Sequence, residues 1–127
     1  MKEIFTSAAP QETVILVGTD IDKEQNISET LAELERLVET AGGEAVGTII
    51  QRRERPDIAT YIGKGKLEEL KALQQETNAT TVVFDDQLSP AQQRNIEKIM
   101  EVKVIDRTAL ILDIFAQRAN SYEASST

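Results

Sequence analysis

Two lysines alternate with two glycines at Gly63-Lys64-Gly65-Lys66, directly ahead of a helical pattern. Backbone N–H groups freed at a helix start, with ammonium groups beside them, are the ingredients of an anion site. A nucleotide P-loop needs the longer string G-x-x-x-x-G-K-[ST], whose backbone wraps the phosphates and whose hydroxyl holds Mg²⁺. That string is absent, Lys66 is followed by Leu67, and the dinucleotide fingerprint G-x-G-x-x-G is missing too. Two readings stand: a glycine turn with its lysines in water, or a contact with a phosphate, in which Gly63 and Gly65 let the backbone come close.

The acidic candidates are Asp85 and Asp86, which close an apolar run, and Asp20 and Asp22, which follow another. Asp20, Asp85 and Asp86 offer oxygen ligands of the kind Mg²⁺ takes, and a receiver-like phosphoacceptor would use such a set. It also needs a lysine later in the chain, and only Lys98 and Lys103 follow. The competing reading is turn and cap chemistry, where Asp is common. The basic candidates are Arg52, Arg53 and Arg55 with Lys64, Lys66 and Arg94. They form either a solvated surface or a contact with an RNA backbone. Tyr61 is the only aromatic near them that could stack on a base. Asp106 and Arg107 flank the last helical pattern and read as a cap and a local ion pair.

Other chemistry is excluded outright. The 127 residues include no histidine and no cysteine. Serine–histidine and cysteine–histidine catalysis, disulfides and thiolate metal sites therefore fall away. No apolar run approaches the ~18 residues of a membrane span, so the expected location is cytoplasmic, without a membrane partner. Twenty-two acidic against 14 basic residues give a net charge of −8, which opposes non-specific nucleic-acid binding by the whole surface. The charge is uneven, however. Ser28 to Glu44 holds five glutamates and one arginine, and Arg52 to Lys66 holds five basic and two acidic residues.

Positioning these residues falls to alternating elements. Thr13–Gly18, Ala45–Ile50, Thr80–Phe84 and Val102–Ile105 are short runs rich in β-branched residues and read as buried strands. Ala59–Ile62 adds a short strand candidate. Leu31, Leu34, Leu37, Val38 and Ala41 form one helical stripe, with Ser28 as N-cap and Gly42-Gly43 as stop. Leu67, Leu70 and Leu73 mark a second helix. Ser89, Pro90 and Gln92 spell a capping box with proline at the first helical position. A fourth helix runs from Thr108. Strands alternating with helices predict an α/β fold, a mainly parallel sheet flanked by helices on both faces. Residues 1–12 and 120–127 read as tails around a single domain at 13–119.

Three strings resemble one family, the HflX-type GTPases. Arg55-Pro56-Asp57 with Ala59 to Lys66 resembles RPDPATFIGxGK, with Ile58 where many members have proline. Phe84 to Asn95 resembles FDDELSPxQQRN, and Val104 to Ala119 resembles VIDRTxLILDIFAxRA. The resemblance covers roughly residues 13–123 as the family's N-terminal domain. It implies a cytosolic, ribosome-associated parent that binds the large ribosomal subunit and its rRNA and splits ribosomes. GTP and Mg²⁺ would belong to a G domain lying beyond a helical hairpin. The N-terminal domain would contact the ribosome and modulate hydrolysis by that G domain, and in some members would bind ATP. On this reading the chain is a non-catalytic domain of a longer protein with no cofactor of its own; a receiver-like domain and an ATP-binding module are the alternatives.

Overall fold

The computed structural model describes residues 12–20, 27–52 and 59–113, with the side chains of Asp20 and Arg52 left out. Strand β1 (Glu12–Asp20) is followed by α1 (Ile27–Thr40), β2 (Gly43–Arg52), α2 (Lys64–Thr77), β3 (Thr81–Phe84), α3 (Pro90–Met100), β4 (Lys103–Asp106) and the helical stretch α4 (107–113). The four strands form one sheet in the order β2-β1-β3-β4, and every pairing is parallel. The α/β expectation is therefore met.

Burial explains the apolar runs. Val14, Ile15, Leu16 and Val17 of the central strand are all buried, because helices cover both faces. Ile15 and Val17 pack with Leu67 and Leu70 of α2 and Ile96 and Met100 of α3. Val14 and Leu16 face the other way, onto Leu31, Leu34 and Val38 of α1 and Leu110 of α4. Strand alternation thus sorts one run into two cores. None of the described helices is long and apolar enough to cross a membrane.

Local signals place the ends. Gly42 takes φ 95° and stops α1, a conformation that favours glycine. Ser89 accepts from the Gln92 backbone N–H at 3.1 Å while Gln92 Oε1 accepts from the Ser89 N–H at 2.9 Å, completing the capping box. Ser28, in contrast, lies inside α1, which already starts at Ile27. The strand expected at Ala59–Ile62 is a turn. Tyr61 adopts φ 67°, outside the extended region, and the Ile62 N–H donates to the Thr60 carbonyl at 2.7 Å. Its β-favouring side chains are overridden by tertiary bonds that hold the loop.

Candidate functional site

The chain runs from β1 outward to β2 and then returns past β1 to β3. The switch point, where open α/β sheets bind ligands, thus lies between the carboxyl ends of β1 and β3. Thr19 sits near one end; Asp85 and Asp86 follow the other.

Asp86 is the hub of this edge. Its Oδ2 accepts from Thr19 Oγ1 at 2.5 Å and from Tyr61 Oη at 2.6 Å. Tyr61 is only 9% exposed and meets the Phe84 ring edge-on, with centroids 6.1 Å apart. Burial and the Asp86 carboxylate push its hydroxyl up to about 12. The loop that carries it is pinned at two further points. The Gly63 N–H donates to Gln51 Oε1 at 2.7 Å, and Asn95 Nδ2 of α3 donates to the Ala59 carbonyl at 2.9 Å. Gln51 is 1% exposed, and its Nε2 is buried without a hydrogen-bond partner among the described residues.

Asp85 points elsewhere. Its carboxylate is buried, its Oδ1 lies 3.6 Å from Arg107 Nη1, and that oxygen accepts no hydrogen bond from the described residues. Burial raises its pKa above the usual value, Arg107 opposes the rise, and Asp86 and Glu33 add to it. Arg107 also pairs with Glu33 of α1. Beside it, Asp106 Oδ1 accepts from the Ala109 N–H at 2.9 Å and Oδ2 from the Leu88 N–H at 3.0 Å. The expected cap is present, but the ion pairs of Arg107 are not local: they reach Glu33 of α1 and Asp85 after β3. Gln93 Nε2 donates to the Val104 carbonyl at 2.8 Å, holding α3 to β4.

The structure separates the sequence candidates. Asp85 and Asp86 engage the chain's own donors, and no cluster of three or more His, Cys, Asp or Glu that could hold a metal ion occurs among the described residues. The Asp20 side chain, Arg53, Arg55 and the Arg52 side chain lie outside them. The Gly63–Lys66 segment is no turn ahead of a helix. Gly63 is the N-cap of α2, no side chain caps it, and Lys64, Gly65 and Lys66 form the first helical turn. A Cβ added at Gly65 would meet nothing within 4 Å, so no close backbone approach within the protein requires that glycine. Lys66 pairs with Glu69 at 3.2 Å. Lys64 and Arg94 are exposed, on α2 and on α3, which Asn95 ties to the start of the Ala59–Gly63 loop.

Sequence reasoning missed the roles of Tyr61, Thr19 and Gln51. Tyr61 stood out only as a stacking aromatic, a role its burial removes. Its place inside one of the three strings was the only signal. The described parts of those strings, with Tyr61, Asp86, Asn95 and Asp106, meet at this one edge.

Comparison with known proteins agrees with this arrangement. Residues 28–116 match the family model described as GTP-binding GTPase N-terminal. The GTPase HflX of Lacrimispora saccharolytica is 50% identical over 97% of this chain and 29% of its own length. That of Escherichia coli is 45% identical over 88% of this chain and 26% of its own. The chain thus spans under a third of the length of these relatives. A solved GTP-binding protein from Sulfolobus solfataricus, in complex with GDP, superposes with a TM-score of 0.61 at 25% identity, covering 84% of this chain and 30% of that one. With most of its length matched, the chain belongs to the family of GTP-binding GTPase N-terminal domains, as found in HflX GTPases.

Proposed function

We propose that this chain is the non-catalytic binding and regulatory domain of an HflX-type GTPase. In this role it contributes to contact with the large ribosomal subunit and modulates GTP hydrolysis by a G domain elsewhere in the parent protein. GTP and Mg²⁺ belong to that G domain, and the setting is cytoplasmic. The observation that carries the reading is the convergence of the family-like strings on one hydrogen-bonded edge. Tyr61 joins Asp86, Asn95 joins Ala59, and Leu88 joins Asp106. An edge bonded in this way can hold Lys64, Lys66 and Arg94 toward a polyanion, and in the sequence Arg52, Arg53 and Arg55 precede the two lysines.

Co-sedimentation of the full-length parent with isolated large subunits tests this reading. The wild type is expected to pellet with the subunit. Arg52→Glu with Arg53→Glu should weaken the association, with circular dichroism of the variant showing that it is folded. Absence of the wild-type parent from the pellet rejects ribosome contact, and unchanged affinity in the folded variant rejects the arginines as contacts.

A further inference from the structure

The core beneath α1 and α4 opens at the end of the sheet where the strands begin. There Val14, Val83 and Leu110 line a narrow crevice of about 20 Å³ between the two helices. The crevice adjoins a hollow of about 370 Å³ on α4 and the edge strand β4, and the two share Lys103, Ile105 and Asp113. Ala109 and Leu112 complete the hollow. Leu112 is 62% exposed, the most exposed large hydrophobic residue among those described, and belongs to neither core. A single exposed leucine is ordinary on a soluble domain, but one that walls an open hollow with Ile105 and Ala109 marks a contact site.

The chain enters the fold at this place. Glu12, where β1 begins, lines the crevice. Ahead of it stand residues 1–11, outside the described residues, with Lys2-Glu3-Ile4-Phe5 among them. Ile4 and Phe5 offer apolar side chains to Leu112, Ile105 and Ala109. Lys2 and Glu3 match Asp113 and Lys103 of the hollow in sign. The reach suffices as well. The stretch from Phe5 to Glu12 spans up to about 23 Å when extended. Strand β4 lies two strand spacings from β1, or about 10 Å. A group tied by a short linker is present at an effective concentration on the order of millimolar. In a micromolar solution a second copy is far more dilute than that, so the chain's own segment is the favoured occupant.

We infer that residues Lys2–Phe5 fold back across the start of the sheet and seat Ile4 and Phe5 in the hollow beside Leu112. The segment acts as a strap that covers the β4 edge of this core, with Lys2 toward Asp113 and Glu3 toward Lys103. The inference is independent of the ribosome-contact reading.

The test is NMR of the wild-type 127-residue chain. Nuclear Overhauser contacts are expected from the Phe5 ring and the Ile4 methyls to the Leu112 methyls. A mixture of labelled and unlabelled protein separates contacts within a chain from contacts between copies. Leu112→Glu should move the Ile4 and Phe5 signals to the positions of an unfolded peptide, while the amides of the four strands stay dispersed. Ile99→Glu alters the other exposed large hydrophobic residue, on α3 at the opposite face, and should leave those signals in place. Deleting residues 2–8 should shift the Leu112 methyl resonances.

Absence of the Phe5 and Ile4 contacts in the wild-type spectrum overturns the inference. Contacts found only between copies overturn it in favour of a dimer. Contacts to Leu112 from Ile114 or Phe115 alone overturn it in favour of the segment after α4. Ile4 and Phe5 signals that Leu112→Glu leaves unmoved overturn it too.

Discussion

Tyr61 Oη and Thr19 Oγ1 donate to the same oxygen, Oδ2 of Asp86, at 2.6 and 2.5 Å. One carboxylate thereby joins the end of β1, the loop before α2 and the segment after β3. The left-handed backbone at Tyr61 is sustained by this bond and by the Phe84 ring.

Tyr61→Phe should destabilise the fold by about 1.5–3 kcal/mol, the range for a hydrogen bond to a charged group. The wild type should also lose stability as pH rises from 10 toward 12. There the unfolded phenol gives up its proton and the folded one, raised to about 12, keeps it. Denaturant melts across that window check both effects. The variant should lack this alkaline component, and an unchanged alkaline slope would show that Tyr61 does not titrate in this way.

Asp85 shifts in the same direction at the acid end. Its folded pKa lies above 3.8, so the folded state binds the proton more tightly than the unfolded chain. Its contribution is fully present below 3.8 and is lost as pH rises through the folded value. Asp85→Asn should remove that component, seen as a steeper gain of stability with rising pH just above 3.8 than in the wild type. A chemical-denaturation series between pH 3.5 and 6 checks it.

Gly65 occupies the first turn of α2 with open space around its missing Cβ. Gly65→Ala should stabilise the domain by up to about 1 kcal/mol, the propensity difference within a helix. The same variant also tests the sequence-based expectation of close phosphate approach. If RNA affinity holds while stability rises, the backbone at Gly65 is not what the phosphate meets.

The purified chain should not turn over GTP, since its sequence contains no string that holds the β- and γ-phosphates with Mg²⁺. Phosphate release that survives removal of trace contaminants would refute the non-catalytic reading.

Elements written in local chemistry were legible from the residues. Val14 to Val17 reads as a buried strand in its own composition, and Ser89-Pro90-Ala91-Gln92 carries its cap in four residues. Strand order was not legible, because every parallel run is equally apolar. The Asp86 hub was hidden for a related reason. Its partners Thr19 and Tyr61 are 67 and 25 positions away, and nothing in either residue type marks the pairing. The Ala59–Ile62 strand failed because Thr60, Tyr61 and Ile62 favour strands intrinsically, while local bonds between Thr60 and Ile62 and the remote Tyr61–Asp86 and Gly63–Gln51 bonds choose the turn. The basic surface was half legible. Lys64 and Arg94 stood out in their strings and are exposed, whereas the side chains of Arg52, Arg53 and Arg55 lie outside the described residues.

The order β2-β1-β3-β4 has a consequence for how the chain is born. Val14 of the central strand pairs with Thr81, and the Thr80 N–H reaches back to the Thr13 carbonyl at 2.8 Å. At a synthesis rate of about 5–20 residues per second, β1 waits on the order of several seconds for β3 to be made. For most of that interval it has only β2 and α1 as neighbours, and its Ile15–Val17 face stays uncovered until α2 is made, with α3 following only after β3. The nascent domain therefore has a sticky, half-built stage at the exit of the translating ribosome, when a chaperone has most to hold.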